Sequence, residues 1–121
     1  MGRNRRWTTL VLAVMASLLL VSVATLDATA STKPKKVSIV ESSLTYTFSF
    51  SPKAVSIHKG RRVKWTNNTT SFHHILFTNG VTFSKDVTVG DSVSKVFRKR
   101  GTFHYHCTIH PKTMKGTVTV T

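Results

Sequence analysis

The sequence predicts an all-β fold, a Greek-key β-sandwich of seven to eight strands, and three observations carry that reading. Short runs alternate apolar and polar residues at period two, as half-buried strands do. Gly, Pro or Asn turn signals separate those runs at regular intervals. No stretch outside residues 10–26 shows the 3.6-residue period of a helix.

At the amino terminus, residues 10–26 hold no charged side chain, follow Arg3, Arg5 and Arg6, and lead into the small residues Ala28 and Ala30. This is the pattern of an export signal, so residues 1–30 are read as a signal peptide. The alternative is a retained anchor, because a membrane-spanning helix needs about 17 to 25 apolar residues and this run sits at the lower edge. The chain carries 18 Lys plus Arg against 4 Asp plus Glu, a net charge of +14. Most of that charge lies beyond the signal, where a chain of this size builds one core and leaves no room for a multidomain enzyme.

Residues 31–43 read as a tether and first strand region, and residues 44–121 as the folded domain. Tyr46-Thr47-Phe48-Ser49-Phe50 places aromatics at period two, and Ser51-Pro52 closes that strand. Val55-Ser56-Ile57 and Val63-Lys64-Trp65 alternate on either side of a Lys59-Gly60 turn. Further strands are expected near residues 74–78, 92–97, 102–107 and 115–120, with turns at Asn79-Gly80, Gly90-Asp91 and Gly101. Short strands with such punctuation argue for a sandwich.

Cys107 is the sole cysteine, so export brings no internal disulfide. An unpaired thiol there is an inert core residue, an intermolecular bridge or a metal ligand. Its neighbours favour the ligand: Cys107, His110 and Met114 lie within eight residues. Thiolate, imidazole and thioether are donors that soft copper prefers, and two histidines, one cysteine and a weak axial Met make an electron-transfer site. The second histidine must come from elsewhere, and His73-His74 on an earlier strand offers it. In an extended backbone at most one of that pair faces the metal, and parity leaves both open. In the strand entering Cys107, Phe103, Tyr105 and Cys107 share one face, which turns His104 and His106 to the other as surface residues. His58 abuts a turn and is read as exposed.

Over residues 44–120 these features resemble the cupredoxins, most closely the plastocyanin, amicyanin and pseudoazurin group. The resemblance runs from Phe50-Ser51-Pro52 through Val63-Lys64-Trp65-Thr66-Asn67-Asn68 and Gly90-Asp91 to Tyr105-x-Cys107-x-x-His110 and Met114. It implies one copper ion in a type 1 site held by His73, Cys107 and His110, with Met114 axial. It also implies an electron port at the imidazole edge of His110, flanked by Phe72, Ile109 and Pro111. Two departures stand out. The family usually has Asn directly after the first histidine, where its side chain ties the ligand loops together, and here His74 takes that place. Three residues separate His110 from Met114, against two in amicyanins and four in plastocyanins.

With four protein donors no position is left open for a substrate, so the expected function is electron transport and not catalysis. The expected protein is a monomeric blue copper carrier, exported to the periplasm or the outer face of the membrane. Lys95, Arg98, Lys99, Arg100, Lys112 and Lys115 crowd the carboxyl-terminal third and suggest an acidic redox partner, such as a cytochrome or a membrane oxidoreductase. An anionic membrane surface is the second candidate, while nucleic acid is excluded by export and by aromatics at core parity. The alternative function is a copper carrier that delivers the ion to another exported protein, which the extra histidines His74, His104 and His106 would serve.

Overall fold

The computed structural model describes residues 32–121, and the expected signal peptide lies outside them. Nine strands form two mixed sheets: β1 (Lys35–Ser42), β2 (Thr47–Ser51), β3 (Ala54–Ile57), β4 (Arg62–Asn67), β5 (His73–Phe77), β6 (Ser84–Val87), β7 (Ser92–Val96), β8 (Gly101–Cys107) and β9 (Lys115–Val120). The first sheet runs β2-β1-β4-β7 and the second β3-β9-β8-β5-β6. Parallel pairing of β1 with β4 and of β3 with β9 brings distant segments side by side. No helix occurs among the described residues.

Period-two burial is the physical basis of the sandwich. Along β4, Val63, Trp65 and Asn67 are buried while the residues between them are not, and β8 and β9 repeat the pattern. Inward side chains meet in an aromatic layer: Tyr105 stacks on Phe77 at 5.0 Å, and Trp65 meets Tyr105 edge-on at 5.5 Å. Such pairs add about 0.5–1.5 kcal/mol each beyond area burial. Gly116 lies opposite Tyr105 on β9, and a Cβ there would stand 2.2 Å from the ring's Cζ. The glycine is therefore what lets the ring lie flat on the strand. Burial pushes the Tyr105 phenol up to about 12, against the opposing influence of the Trp65 indole N–H beside it.

Two elements differ from expectation. β6 (Ser-Lys-Asp-Val) is exposed at three of its four residues and has no alternation to betray it. It exists because β5 offers a free edge, with His73 paired to Val87 and Leu76 to Ser84. β1, Lys35–Ser42, falls within the residues read as tether and first strand region, and its Val37 and Ile39 fill the core. Tyr46 does not continue the aromatic face of β2. It turns the β1–β2 hairpin at φ 51° and is 79% exposed.

The ends of the sandwich differ in chemistry. At one end lie the connections 43–46, 68–72, 88–91 and 108–114, which hold all five exposed large hydrophobic residues of the described chain: Leu44, Tyr46, Phe72, Val89 and Ile109. The six basic residues expected to act together divide between the two ends. Lys112 and Lys115 stand at this end, while Arg98, Lys99 and Arg100 form the β7–β8 turn at the opposite one, with Lys95 close to it at the finish of β7.

Candidate metal centre

The centre is built at the apolar end, and Asn67 organises its first loop. Buried at the close of β4, Asn67 donates through Nδ2 to Ser71 O (2.8 Å) and Val87 O (2.9 Å). Its Oδ1 accepts from Thr69 N (3.0 Å) and Thr69 Oγ1 (2.8 Å), so every polar site of the amide is used. The loop is thus folded around one side chain and delivers His73 at the first position of β5.

Thr69 then fixes the chemistry of His73. Its single hydroxyl proton goes to Asn67 Oδ1 at 2.8 Å, the nearest of three acceptors within reach, ahead of His73 Nε2 at 2.9 Å and Ser71 O at 3.2 Å, which leaves the oxygen to accept from His73 Nε2. A proton on Nε2 leaves a free lone pair on Nδ1, which points at Cys107 Sγ, 3.7 Å away. His73 is fully buried, and that burial, with His110 beside it, lowers its pKa to about 4 against a smaller opposing effect of Glu41. The imidazole is a neutral donor at physiological pH.

The other donors come from the end of β8. Ile75 pairs with Cys107, so His73 and Cys107 occupy the same inner face two residues apart on adjacent strands. The loop after Cys107 is closed by Met114 N to His110 O and by Cys107 N to Met114 O, both 3.0 Å. This places His110 Nδ1 3.8 Å from the thiol sulfur. His73, Cys107 and His110 bring their donor atoms within 4.8 Å of one another, and Met114 is fully buried next to them in the chain. Sulfur–nitrogen spacings of 3.7 and 3.8 Å are what bonds of about 2.3 and 2.0 Å meeting near 120° produce, so a first-row ion fits these donors. The set of one cysteine sulfur and two imidazoles, with a thioether in the same loop, suits copper.

His74 takes no part in this convergence. It faces outward, its Nδ1 2.5 Å from Asp86 Oδ1 and its Nε2 2.7 Å from Ser84 Oγ on β6. The tie between the two donor loops runs instead through its backbone, where Thr108 N donates to His74 O at 3.0 Å. His104 and His106 also lie on the outer face, and His58 is exposed. Sequence reasoning missed two supporting residues. Thr69 was visible only as part of the Asn67-Asn68-Thr69-Thr70 run, whose Asn and Thr two residues apart are the signature of a side-chain-capped turn. Phe48, half-buried on β2, lies 4.8 Å from both the His73 and the His110 rings. No local signal reveals that contact, because it joins opposite sheets.

Residues 10–120 match a family model described as a cupredoxin-like domain. The chain is similar to the plastocyanin of Scenedesmus fuscus, 35% identical over 83 residues that cover 59% of this chain and 85% of that protein. It is also similar to the solved structure of a purple cupredoxin from Nitrosopumilus maritimus, with a TM-score of 0.64, 27% identity and coverage of 72% of this chain and 99% of that one. An amicyanin variant in its reduced state gives a TM-score of 0.61 at 26% identity, over 73% of this chain and 82% of the other. With sequence, sheet order and donor chemistry in agreement, the chain belongs to the cupredoxin-like family.

Proposed function

We propose that this chain is an exported small blue copper protein that carries single electrons between redox partners, residues 1–30 serving as its signal and residues 44–121 as its copper-binding domain. His73, Cys107 and His110 are the principal ligands and Met114 the axial one. The observation that carries this reading is the convergence of His73 Nδ1, Cys107 Sγ and His110 Nδ1 inside a hydrogen-bonded frame. Copper in such a site supplies a one-electron couple. The protein contributes the rest. Thr69 fixes the tautomer of His73, Phe48 packs on both imidazoles, and the backbone bonds around Met114 hold the loop. These supports resist rearrangement of the donors when charge changes.

His110 is the half-buried member of the set, and Phe72 (44% exposed) and Ile109 (48%) lie in the two loops that flank it. An apolar rim of this kind docks transiently on a redox partner, with Lys112 and Lys115 favouring an acidic one. The copper-delivery alternative gains nothing from the extra histidines, since His74, His104 and His106 all point away from the thiol. The test is the absorption spectrum of the copper-loaded protein. An intense thiolate-to-copper band that bleaches with reductant and returns on oxidation, with the metal retained, is the expected result. A colourless protein that yields copper to a mild chelator would overturn the proposal.

A further inference from the structure

The end of the sandwich opposite the metal centre concentrates charge that the electron-carrier reading does not use. Residues 33–36, 59–62 and 98–100 hold nine of the fifteen basic side chains in the described chain. The fold gathers these three runs: Gly60 N donates to Phe97 O at 2.7 Å, Phe97 N to Arg61 O at 2.9 Å, and Arg61 Nη2 to Lys33 O at 2.9 Å. None of them has a carboxylate partner among the described residues, where the one ion pair is His74 with Asp86. Glu41, Asp86 and Asp91 all lie toward the metal-centre end. Lys36 even stands directly opposite Lys64 on the neighbouring strand, a like-charge pairing that costs stability. A shallow cleft of about 330 Å³ opens among Lys33, Lys35, His58 and Arg61, roomy enough for a phosphate group.

Distance decides what this charge is for. β8 spans the sandwich with its seven residues, and at about 3.3 Å per residue that puts the basic end some 20 Å from the thiol. Physiological salt screens charge over about 8 Å, so this end exerts little pull on a partner arriving at His110. The chain offers a different occupant. The chain enters β1 at Lys35, at this same end, and the residues before it include the uncharged run 10–26 that reads as a signal or anchor.

We infer that the basic end of the sandwich is a docking surface for anionic lipid headgroups, which turns the His110 end away from the membrane toward its partners. Lysine and arginine near an anionic bilayer are each worth about a fivefold gain in partition. Lipid contact at this end does not depend on copper, its consequence for His110 rests on the proposed electron-carrier role, and partition has no readout at the metal centre.

The test measures partition of the full-length chain onto vesicles of phosphatidylcholine alone and of phosphatidylcholine mixed with phosphatidylglycerol, at low and high salt. Neutral vesicles report the contribution of the apolar run, and the difference between the two compositions reports charge. Arg98→Gln with Lys99→Gln should lower that difference roughly 25-fold. Arg61→Gln with Arg62→Gln, a second pair at the same end, should do the same. Lys53→Gln with Lys85→Gln removes as much charge elsewhere and should leave it nearly unchanged. Equal effects of all three pairs would show that net charge alone acts, and no gain from phosphatidylglycerol would show that lipid is not the occupant. Tighter capture by soluble polyglutamate than by the mixed vesicles would point to an acidic protein instead. Each of these three results overturns the inference.

Discussion

Replacing Thr69 by Val tests whether a hydroxyl outside the donor set governs the centre. The substitution removes one oxygen and keeps the shape of the side chain. Three hydrogen bonds go with it: the donation to Asn67 Oδ1 (2.8 Å) and the acceptances from His73 Nε2 (2.9 Å) and Ser71 N (3.2 Å). Asn67 Oδ1 keeps the Thr69 backbone N–H, so its loss is partial. His73 Nε2 is left as an orphan inside a fully buried residue, which costs about 1–3 kcal/mol. For a domain of this size each kcal/mol lowers Tm by about 4–8 °C, well within the reach of calorimetry on the apoprotein. A second effect appears only with metal. Once Nε2 has no acceptor, the tautomer that exposes Nδ1 loses its advantage, and loss of such an outer partner weakens metal binding about 10–100-fold. Chelator competition measures that change, and Thr69→Ser should rescue both values by restoring the hydroxyl. If Thr69→Val binds copper as tightly as the parent while Tm falls, Thr69 is merely structural and the tautomer argument fails.

Four further outcomes follow from the same geometry. His73→Ala should abolish the thiolate band while His74→Ala keeps it, since the His74 ring is engaged with Asp86 and Ser84; the reverse pattern in absorption spectra would exchange their roles. Apoprotein stability should fall as pH drops from about 6.5 toward 4, because the unfolded chain takes up the His73 proton first; urea titrations across that window measure a loss on the order of 2 kcal/mol. Gly116→Ala should destabilise by about 1–3 kcal/mol, because its Cβ meets the Tyr105 ring, and Tyr105→Leu should relieve part of the added cost in a double-mutant cycle. Met114→Leu should keep copper and raise the redox potential in voltammetry, and outright loss of the ion would make Met114 a principal ligand.

The sequence made legible whatever depends on local order along one strand. Phe103, Tyr105 and Cys107 alternate with His104 and His106, and burial follows that parity residue by residue. The same rule could not separate His73 from His74, because Ile75 and Phe77 accompany one and Leu76 the other. What separates them is β6, a strand with too little apolar content to announce itself, whose Asp86 and Ser84 hold the His74 ring on the outer face. The spatial distribution of charge was hidden for a related reason. Arg98, Lys99 and Arg100 are close in sequence to Lys112 and Lys115, but β8 carries the chain from one end of the sandwich to the other between them. Proximity in sequence is proximity in space within the Cys107–Met114 loop, where Met114 N bonds His110 O and Cys107 N bonds Met114 O, and is not across β8.

Support for the centre comes from both sheets, and this ties its chemistry to the core. Asn67 and Thr69 follow from β4 and Phe48 stands on β2, all from the first sheet; His73 and Cys107 belong to β5 and β8 of the second. The relative placement of the donors and their supports is therefore set by how the sheets pack. That packing is governed by the layer in which Trp65 meets Tyr105 and Phe77, and by the Gly116 backbone on which Tyr105 rests. Tyr105 is two residues from Cys107 and on the same buried face of β8, so the ring and the sulfur share one strand backbone. Close-packed interiors transmit strain instead of absorbing it. A substitution in this layer should thus displace the donors of the site before it unfolds the domain, and a donor set that must hold still when charge changes has reason to be built on such a core.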